Sequence, residues 1–104
     1  MKQLSDELHK RDMYLMVDVV VNNIAKNGTG VGTVYSDFDP PFNKQEYFHP
    51  FKYVVNYGDQ VEAQDGWLGN LNVSLPDLKT ELPYIQDVWH TWTKELIANY
   101  SRMY

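Results

Sequence analysis

The stretch MYLMVDVVVNNIA, residues 13–25, decides how the fold is read. Within it, residues 14–21 (YLMVDVVV) are almost continuously apolar and rich in valine. Apolar side chains on both faces are typical of a central parallel strand rather than of a half-exposed hairpin strand. Upstream, Leu4 and Leu8 lie four residues apart among charged residues, which indicates the end of an amphipathic helix. A helix followed by a buried strand predicts an α/β fold.

A charge and two amides interrupt this apolar pattern. An ionised Asp18 inside a strand must be paired, hydrogen-bonded or facing a polar centre, because an isolated buried carboxylate is costly. In a parallel α/β barrel, chemistry gathers at the carboxyl ends of the strands, where Asn22 and Asn23 would lie. Amide oxygens there are ligands for a hard cation and hydrogen-bond partners for sugar hydroxyls. Two alternatives stay open: the asparagines simply open a loop, and Asp18 forms a structural salt bridge.

The composition excludes several classes of function. The 104 residues include 9 Lys and Arg against 14 Asp and Glu, a net charge of −5. We therefore expect neither nucleic acid nor an anionic membrane as a partner, since both need a basic face. The absence of cysteine excludes a zinc-thiolate site and a thiol nucleophile. Residues 1–10 lack the apolar core of a signal peptide and no apolar run is long enough to span a bilayer, so we expect no export of the chain as written.

A long irregular region and a helix follow the apolar stretch. Turn signals such as NGTGVG and DPPF predict irregular structure up to about residue 50, and residues 58–78 read as a loop with short extended pieces. Residues 51–57 (FKYVVNY) are a candidate strand. An excursion this long is usually functional or an inserted subdomain. Apolar residues at helical spacing after Pro83 predict a final helix that runs to about residue 100.

Several motifs occur in a specific order along the chain. LHKRDMYLMVDVVVNN comes first, QEYFHPF, NYGDQ, WLGN and VSLPDL follow, and NYS stands near residue 100. Together they resemble fungal α-amylases of the glycoside hydrolase 13 type, from the third barrel strand through the inserted domain B. The resemblance implies an α/β fold, a partial (β/α)8 TIM barrel with one strand and about one and a half helices. Residues 1–24 would be the end of barrel helix 2 and barrel strand 3, residues 25–79 domain B, and residues 80–104 barrel helix 3, before strand 4.

The resemblance also implies a chemistry. Members of the family hydrolyse internal α-1,4-glucosidic bonds of starch and glycogen with retention, are typically secreted, and hold a calcium ion. Retention needs a carboxylate nucleophile and a carboxylic acid about 5 Å apart. In the family these groups lie on the fourth and fifth strands, and no residue of this chain matches them. We therefore expect no catalytic residue here and no hydrolysis by the chain alone.

Three residues match the calcium site of the family. Asn22 and Asp77 match ligands, and Gln64 falls where fungal members carry an acidic ligand. A glutamine still offers an oxygen but loses a charge, so the resemblance implies a weak or incomplete Ca²⁺ site.

Other residues match the glucan site. Asn23 replaces a histidine that contacts the substrate, and an amide hydrogen-bonds a hydroxyl without carrying a positive charge. Asp18 matches a strand aspartate that supports the active site. Tyr57, Trp67 and Leu68 are expected to line the cleft for an α-glucan such as starch, glycogen or a maltooligosaccharide; the alternative is that they close a small core.

Two positions depart from close fungal relatives in another way. Lys52 and Gly66 stand where those relatives have a pair of bridged cysteines, so this stabilising link is missing here.

Two functional hypotheses follow from these matches. In the first, the chain is part of a starch-degrading hydrolase. In the second, it is a decayed, non-catalytic paralogue that keeps some binding of calcium or glucan, which the changes at Asn23 and Gln64 favour. His49, in YFHPF, is expected to have a structural role.

Overall fold

The structure, a computed structural model, describes residues 1–100, which contain three α-helices and one small sheet. The helices and strands are α1 (Lys2–Lys10), β1 (Lys26–Asn27), α2 (Gln60–Asp65), β2 (Leu68–Gly69), β3 (Val73–Leu75) and α3 (Pro83–Tyr100). Two short 3-10 turns cover Tyr35–Asp37 and Gln45–Tyr47. Within the described part, no helix is long and apolar enough to cross a membrane.

Strand β3 is the centre of the sheet. The strand order is β1-β3-β2, and both pairings are antiparallel, with Ser74 opposite Lys26 on one side and opposite Gly69 on the other. The chain beyond β3 continues to pair on both sides, through bridges from Asp77 to Asn23 and from Leu78 to Phe48. We call residues 73–78 the central segment. It holds together parts of the chain that are far apart in sequence.

A small apolar core lies beside the central segment. Its buried members are Phe42, Phe48, Leu78 and Ile85. Helix α3 contributes Ile85 directly, and Trp89 packs on Phe42 with their ring centroids 5.4 Å apart. The first half of α3 is thus fixed by the irregular region rather than by a large sheet.

Both predicted end helices are confirmed. The helical spacing after Pro83 corresponds to α3, and the amphipathic pattern around Leu4 and Leu8 corresponds to α1. The two helices are linked by side chains of α1 that donate to the last carbonyls of α3. Lys2 Nζ donates to the carbonyl of Asn99 at 2.9 Å, and Ser5 Oγ donates to that of Tyr100.

Other expectations about local structure were wrong. Residues 14–21 belong to no strand in the described part, and Met16 is 94% exposed instead of buried. A strand is defined by ladder hydrogen bonds to a neighbour, and none of the described strands supplies one; the barrel assignment of this stretch stays a prediction. Residues 51–57 form only one bridge, from Tyr53 to Trp67. Helix α2 lies where we expected a loop, and the Asp59 side chain caps it by accepting from the Glu62 amide.

Gly66 is tightly enclosed at the end of α2. A Cβ atom at this position would lie 2.6 Å from the Glu62 carbonyl oxygen, 2.5 Å from a Val54 methyl carbon and 3.3 Å from the Lys52 carbonyl oxygen. Positions 52 and 66 are therefore neighbours, but the space for a side chain at position 66 is filled.

We predict that Gly66→Ala lowers the free energy of unfolding by about 1–3 kcal/mol, because the new methyl group overpacks a backbone carbonyl. The measurement is urea unfolding followed by circular dichroism. Gly58→Ala is the control, since its Cβ would meet only the Asn56 side chain, at 3.2 Å. Equal effects of the two substitutions would contradict the prediction.

We also predict that the exposed apolar surface of residues 14–21 drives self-association. The double variant Met16→Lys/Val20→Lys should shift the chain toward monomer in sedimentation velocity. Val31→Lys/Val34→Lys is the control, because these valines are comparably exposed but lie outside the stretch. A wild-type chain that is monomeric at all concentrations tested would refute this prediction.

Candidate functional site

The central segment brings two predicted calcium ligands together. The amide of Ile24 donates to the Pro76 carbonyl at 3.1 Å, and the amide of Leu78 donates to the Asn22 carbonyl at 2.9 Å. The backbone of Asn22 therefore lies beside that of Asp77, and their roles as ligands of one ion stay a prediction. Asn23, opposite Asp77, donates its side-chain amide to the Ile24 carbonyl at 3.1 Å.

The third predicted ligand is less well placed. Gln64 is exposed near the end of α2. Its neighbour Asp65 has a carboxylate oxygen 3.6 Å from Nε2 of His49, and His49 in turn contacts Asp77. Helix α2 thus approaches the Asp77 region through Asp65, while Gln64 forms no side-chain hydrogen bond to that region among the described residues.

His49, for which the sequence predicts a structural role, lies at this site and contacts two acidic residues that the sequence did not connect with it. Its Nδ1 lies 2.6 Å from Asp77 Oδ2, and its Nε2 lies 2.9 Å from Glu81 Oε1. The backbone reinforces this placement, since the His49 amide donates to the Asp77 carbonyl at 2.9 Å and Trp67 Nε1 donates to the His49 carbonyl at 2.9 Å. No local motif predicts these contacts, because Asp77 and Glu81 lie 28 and 32 residues away along the chain.

The imidazole sits between acidic groups that set its charge. Partial burial by itself lowers the pKa of His49, but the hydrogen bonds to Asp77 and Glu81 and their charges raise that pKa overall. Burial raises the pKa of the Asp77 carboxyl, although the His49 hydrogen bond acts in the opposite direction. An imidazole donates from both nitrogens only when it is protonated, so the imidazolium is the form that satisfies both carboxylates.

The predicted calcium ligands at this site are all oxygen donors. In residues 1–100, no three His, Cys or acidic side chains are arranged so that they could share one metal ion. Asn22, Gln64 and Asp77 all offer oxygen atoms, which is the donor type that Ca²⁺ prefers. Asp77 is the single charged member of this set, and its Oδ2 already contacts His49. The residues fit Ca²⁺ in donor type but supply little ligand charge.

The predicted glucan residues have different surroundings. Tyr57 is 67% exposed in the loop before α2, and Leu68 is half-buried in β2. Trp67 is completely buried and packs edge-on against Phe51, with ring centroids 5.1 Å apart. For Trp67 the structure agrees with the alternative that it closes a small core, and an enclosed indole cannot stack on a sugar without rearrangement.

Asp18 is exposed rather than buried. The expected pairing of this carboxylate is therefore not needed, and Asp18 forms no ion pair with the described part of the chain. Its supporting role at an active site stays a prediction.

Comparisons with known proteins identify the family of this chain. The sequence profile described as alpha-amylase, catalytic domain, matches residues 1–101. The chain belongs to the alpha-amylase family. Alpha-amylase 2 of Schwanniomyces occidentalis is 48% identical over 101 residues, which are 97% of this chain and 20% of that protein. The alpha-amylase of Saccharomycopsis fibuligera is 45% identical with the same two coverages. The predicted similarity to fungal α-amylases is thus confirmed.

Solved alpha-amylases have the same fold in the matching region. The enzyme from Malbranchea cinnamomea superimposes with a TM-score of 0.86 at 42% identity, covering 95% of this chain and 21% of that one. The enzyme from Geobacillus thermoleovorans, solved with acarbose, gives 0.71 at 31% identity, covering 95% and 20%. These neighbours belong to the TIM-barrel fold family. The chain spans about a fifth of the length of the alpha-amylases that it matches.

We predict that His49 stabilises the chain most at low pH. Because the folded-state pKa of His49 is raised, its contribution is complete below about pH 6.5, the ordinary histidine value, and is lost as the pH rises through the folded-state pKa. His49→Gln should therefore cost about 1–3 kcal/mol of unfolding free energy near pH 6 and less near pH 8.5.

Urea unfolding at the two pH values measures this difference. His90→Gln is the matched control, because His90 is exposed on α3. A cost of His49→Gln that grows with pH would contradict the assignment of the imidazolium form.

Proposed function

We propose that this chain is the part of a starch-degrading alpha-amylase that carries calcium ligands and one wall of the glucan cleft. The observation that carries the proposal is the match of residues 1–101 to the alpha-amylase catalytic domain, together with the pairing that brings Asn22 beside Asp77. The proposed reaction of the whole enzyme is hydrolysis of internal α-1,4-glucosidic bonds of starch or glycogen with retention. Like the family in general, it would be secreted.

The proposed domain division follows the resemblance. Residues 25–79 would be domain B, and the small sheet and three of the four buried core residues support this, since they all lie in that range. Residues 1–24 would supply the end of barrel helix 2 and barrel strand 3, and residues 80–104 barrel helix 3. Residues 101–104 lie outside the described residues.

The binding roles are assigned to side chains of this chain. Tyr57 would offer its exposed ring to the face of a pyranose, and Asn23 would hydrogen-bond a sugar hydroxyl. Leu68 would add apolar contact, and Asp18 would support the site from its strand. Asn22, Gln64 and Asp77 would hold Ca²⁺, which when bound supplies positive charge. That charge would tie the chain at Asn22 and Asn23, here called the asparagine loop, to the central segment.

None of the described carboxylates is assigned to the bond-breaking steps. A retaining hydrolase needs one carboxylate to attack the anomeric carbon and one carboxylic acid to protonate the leaving oxygen and later to deprotonate water. Asp77 and Glu81, which contact the same imidazole, are both engaged by His49. We therefore propose that the chain alone binds glucan without cutting it.

A second candidate is a decayed paralogue that binds but never contributes to catalysis. Asn23 in place of the family's substrate-contacting histidine and Gln64 in place of an acidic ligand favour it. Both candidates predict binding by this chain. They differ in the activity of a longer protein that contains this chain. A reducing-sugar assay on that protein distinguishes them, because the first candidate predicts release of reducing sugar and the second predicts none.

We predict that the 104-residue chain binds maltoheptaose in isothermal titration calorimetry and that Tyr57→Ala weakens this binding by about two- to tenfold, since an aromatic platform is lost. Val55→Ala is the control, because Val55 lies in the same loop and is 82% exposed. No reducing sugar should be released. Release above a blank without protein, abolished by Asp18→Asn, would overturn the non-catalytic assignment.

A further inference from the structure

The loop that presents Tyr57 has no apolar anchor. Val55 and Tyr57 are largely exposed, and Val61 at the start of α2 is 68% exposed. Residues 55–59 belong to no strand in the described part of the chain. The conformation of this loop therefore depends on polar contacts.

Those contacts converge on Glu62. Its carboxylate Oε1 accepts from the amide of Val55 at 2.6 Å and from the amide of Asn56 at 3.1 Å. The Glu62 amide donates to Asp59 Oδ1 at 2.9 Å, and the Asp59 amide donates to the Asn56 carbonyl at 3.1 Å. The side chain of Glu62 thus holds the start of the loop at Val55 and Asn56, and its backbone amide is bound to Asp59 at the end of the loop. Tyr57 lies between these two attachment points.

The negative charge of Glu62 strengthens its hydrogen bonds to the loop. The two backbone hydrogen bonds lower the pKa of Glu62, and the charge of Lys52 acts in the same direction. An ionised carboxylate that accepts two amide hydrogens forms stronger bonds than a neutral side chain would. Asn56 adds a local turn, since its Oδ1 accepts from the Gly58 amide at 3.0 Å. The residues before and after Tyr57 are both held.

We propose that Glu62 is a positioning residue for glucan recognition, which holds residues 55–59 so that the Tyr57 ring is presented to a pyranose face. The inference rests on the proposed role of Tyr57, and it adds a residue to which no motif assigned a function. Because the loop is ordered before the sugar arrives, less conformational entropy is lost on binding.

The experiment uses maltoheptaose titrations of the 104-residue chain and of five variants. These are Tyr57→Ala, Glu62→Ala, the double variant of both, Glu62→Gln, and the control Gln60→Ala on the exposed surface of α2. Glu62→Ala should weaken binding by about as much as Tyr57→Ala, that is about two- to tenfold. The double variant should bind no more weakly than either single variant, because both remove the same platform. Glu62→Gln keeps an acceptor oxygen and should restore part of the affinity.

A second measurement tests the hydrogen bonds between Glu62 and the loop independently of sugar binding. Hydrogen exchange of the Val55 and Asn56 amides should be slow in the wild-type chain and faster in Glu62→Ala, with the helix signal in circular dichroism unchanged. The role of Glu62, but not that of Tyr57, would be overturned if the wild-type chain binds maltoheptaose and Glu62→Ala binds it equally well. The same conclusion would follow if the losses of affinity in the two single variants add up in the double variant. If the wild-type chain binds no maltoheptaose, the role of Tyr57 fails and the inference fails with it, whatever the exchange data show.

Discussion

The two-sided pairing of the central segment is the constraint on which the rest of the structure depends. Residues 73–78 pair with the asparagine loop and β1 on one side, and with β2 and the chain around Phe48 on the other. These pairings satisfy backbone groups that an irregular region of this length would otherwise expose. The segment also buries Leu78 against the first half of α3. Asn22 and Asp77 become neighbours as a direct consequence.

The charge distribution at the site follows from this burial. Pairing on both sides leaves Asp77 with 7% of its surface exposed, and a carboxylate in that position requires a donor. His49 supplies it from the chain opposite Leu78, and the Trp67 indole holds the His49 carbonyl. The buried Trp67 therefore serves the site by fixing the His49 backbone, which is a different role from stacking on a sugar. A cation bound at Asp77 would share that carboxylate with His49.

The sequence predicts the features that depend on short-range patterns. Apolar spacing predicts α3 over most of its length, and the order of the motifs predicts the family. It predicts short extended pieces within residues 58–78, where β2 and β3 lie, but neither their bounds nor their pairing, because two or three residues are too few to show a period of two. Helix α2 is not predicted for a similar reason. Its six residues carry no apolar stripe, and the capping residue Asp59 is the only sequence signal for a helix there. The contacts of His49 depend on tertiary pairing, which no single sequence displays.

Residues 14–21 show why local pattern and burial are separate questions. Exposed and half-buried side chains alternate over residues 14–18, where Leu15 and Val17 are half-buried, whereas residues 19–21 are all exposed. This alternation has the period of two that belongs to extended backbone, even though the stretch pairs with no described strand. Asp18 shares its face with Met16, so the charge and the most exposed apolar side chain point the same way. In a parallel barrel that combination suits the inward face, where apolar layers surround the groups that support a site. The aspartate is thus compatible with an apolar extended stretch, because alternation separates it from the half-buried Leu15 and Val17.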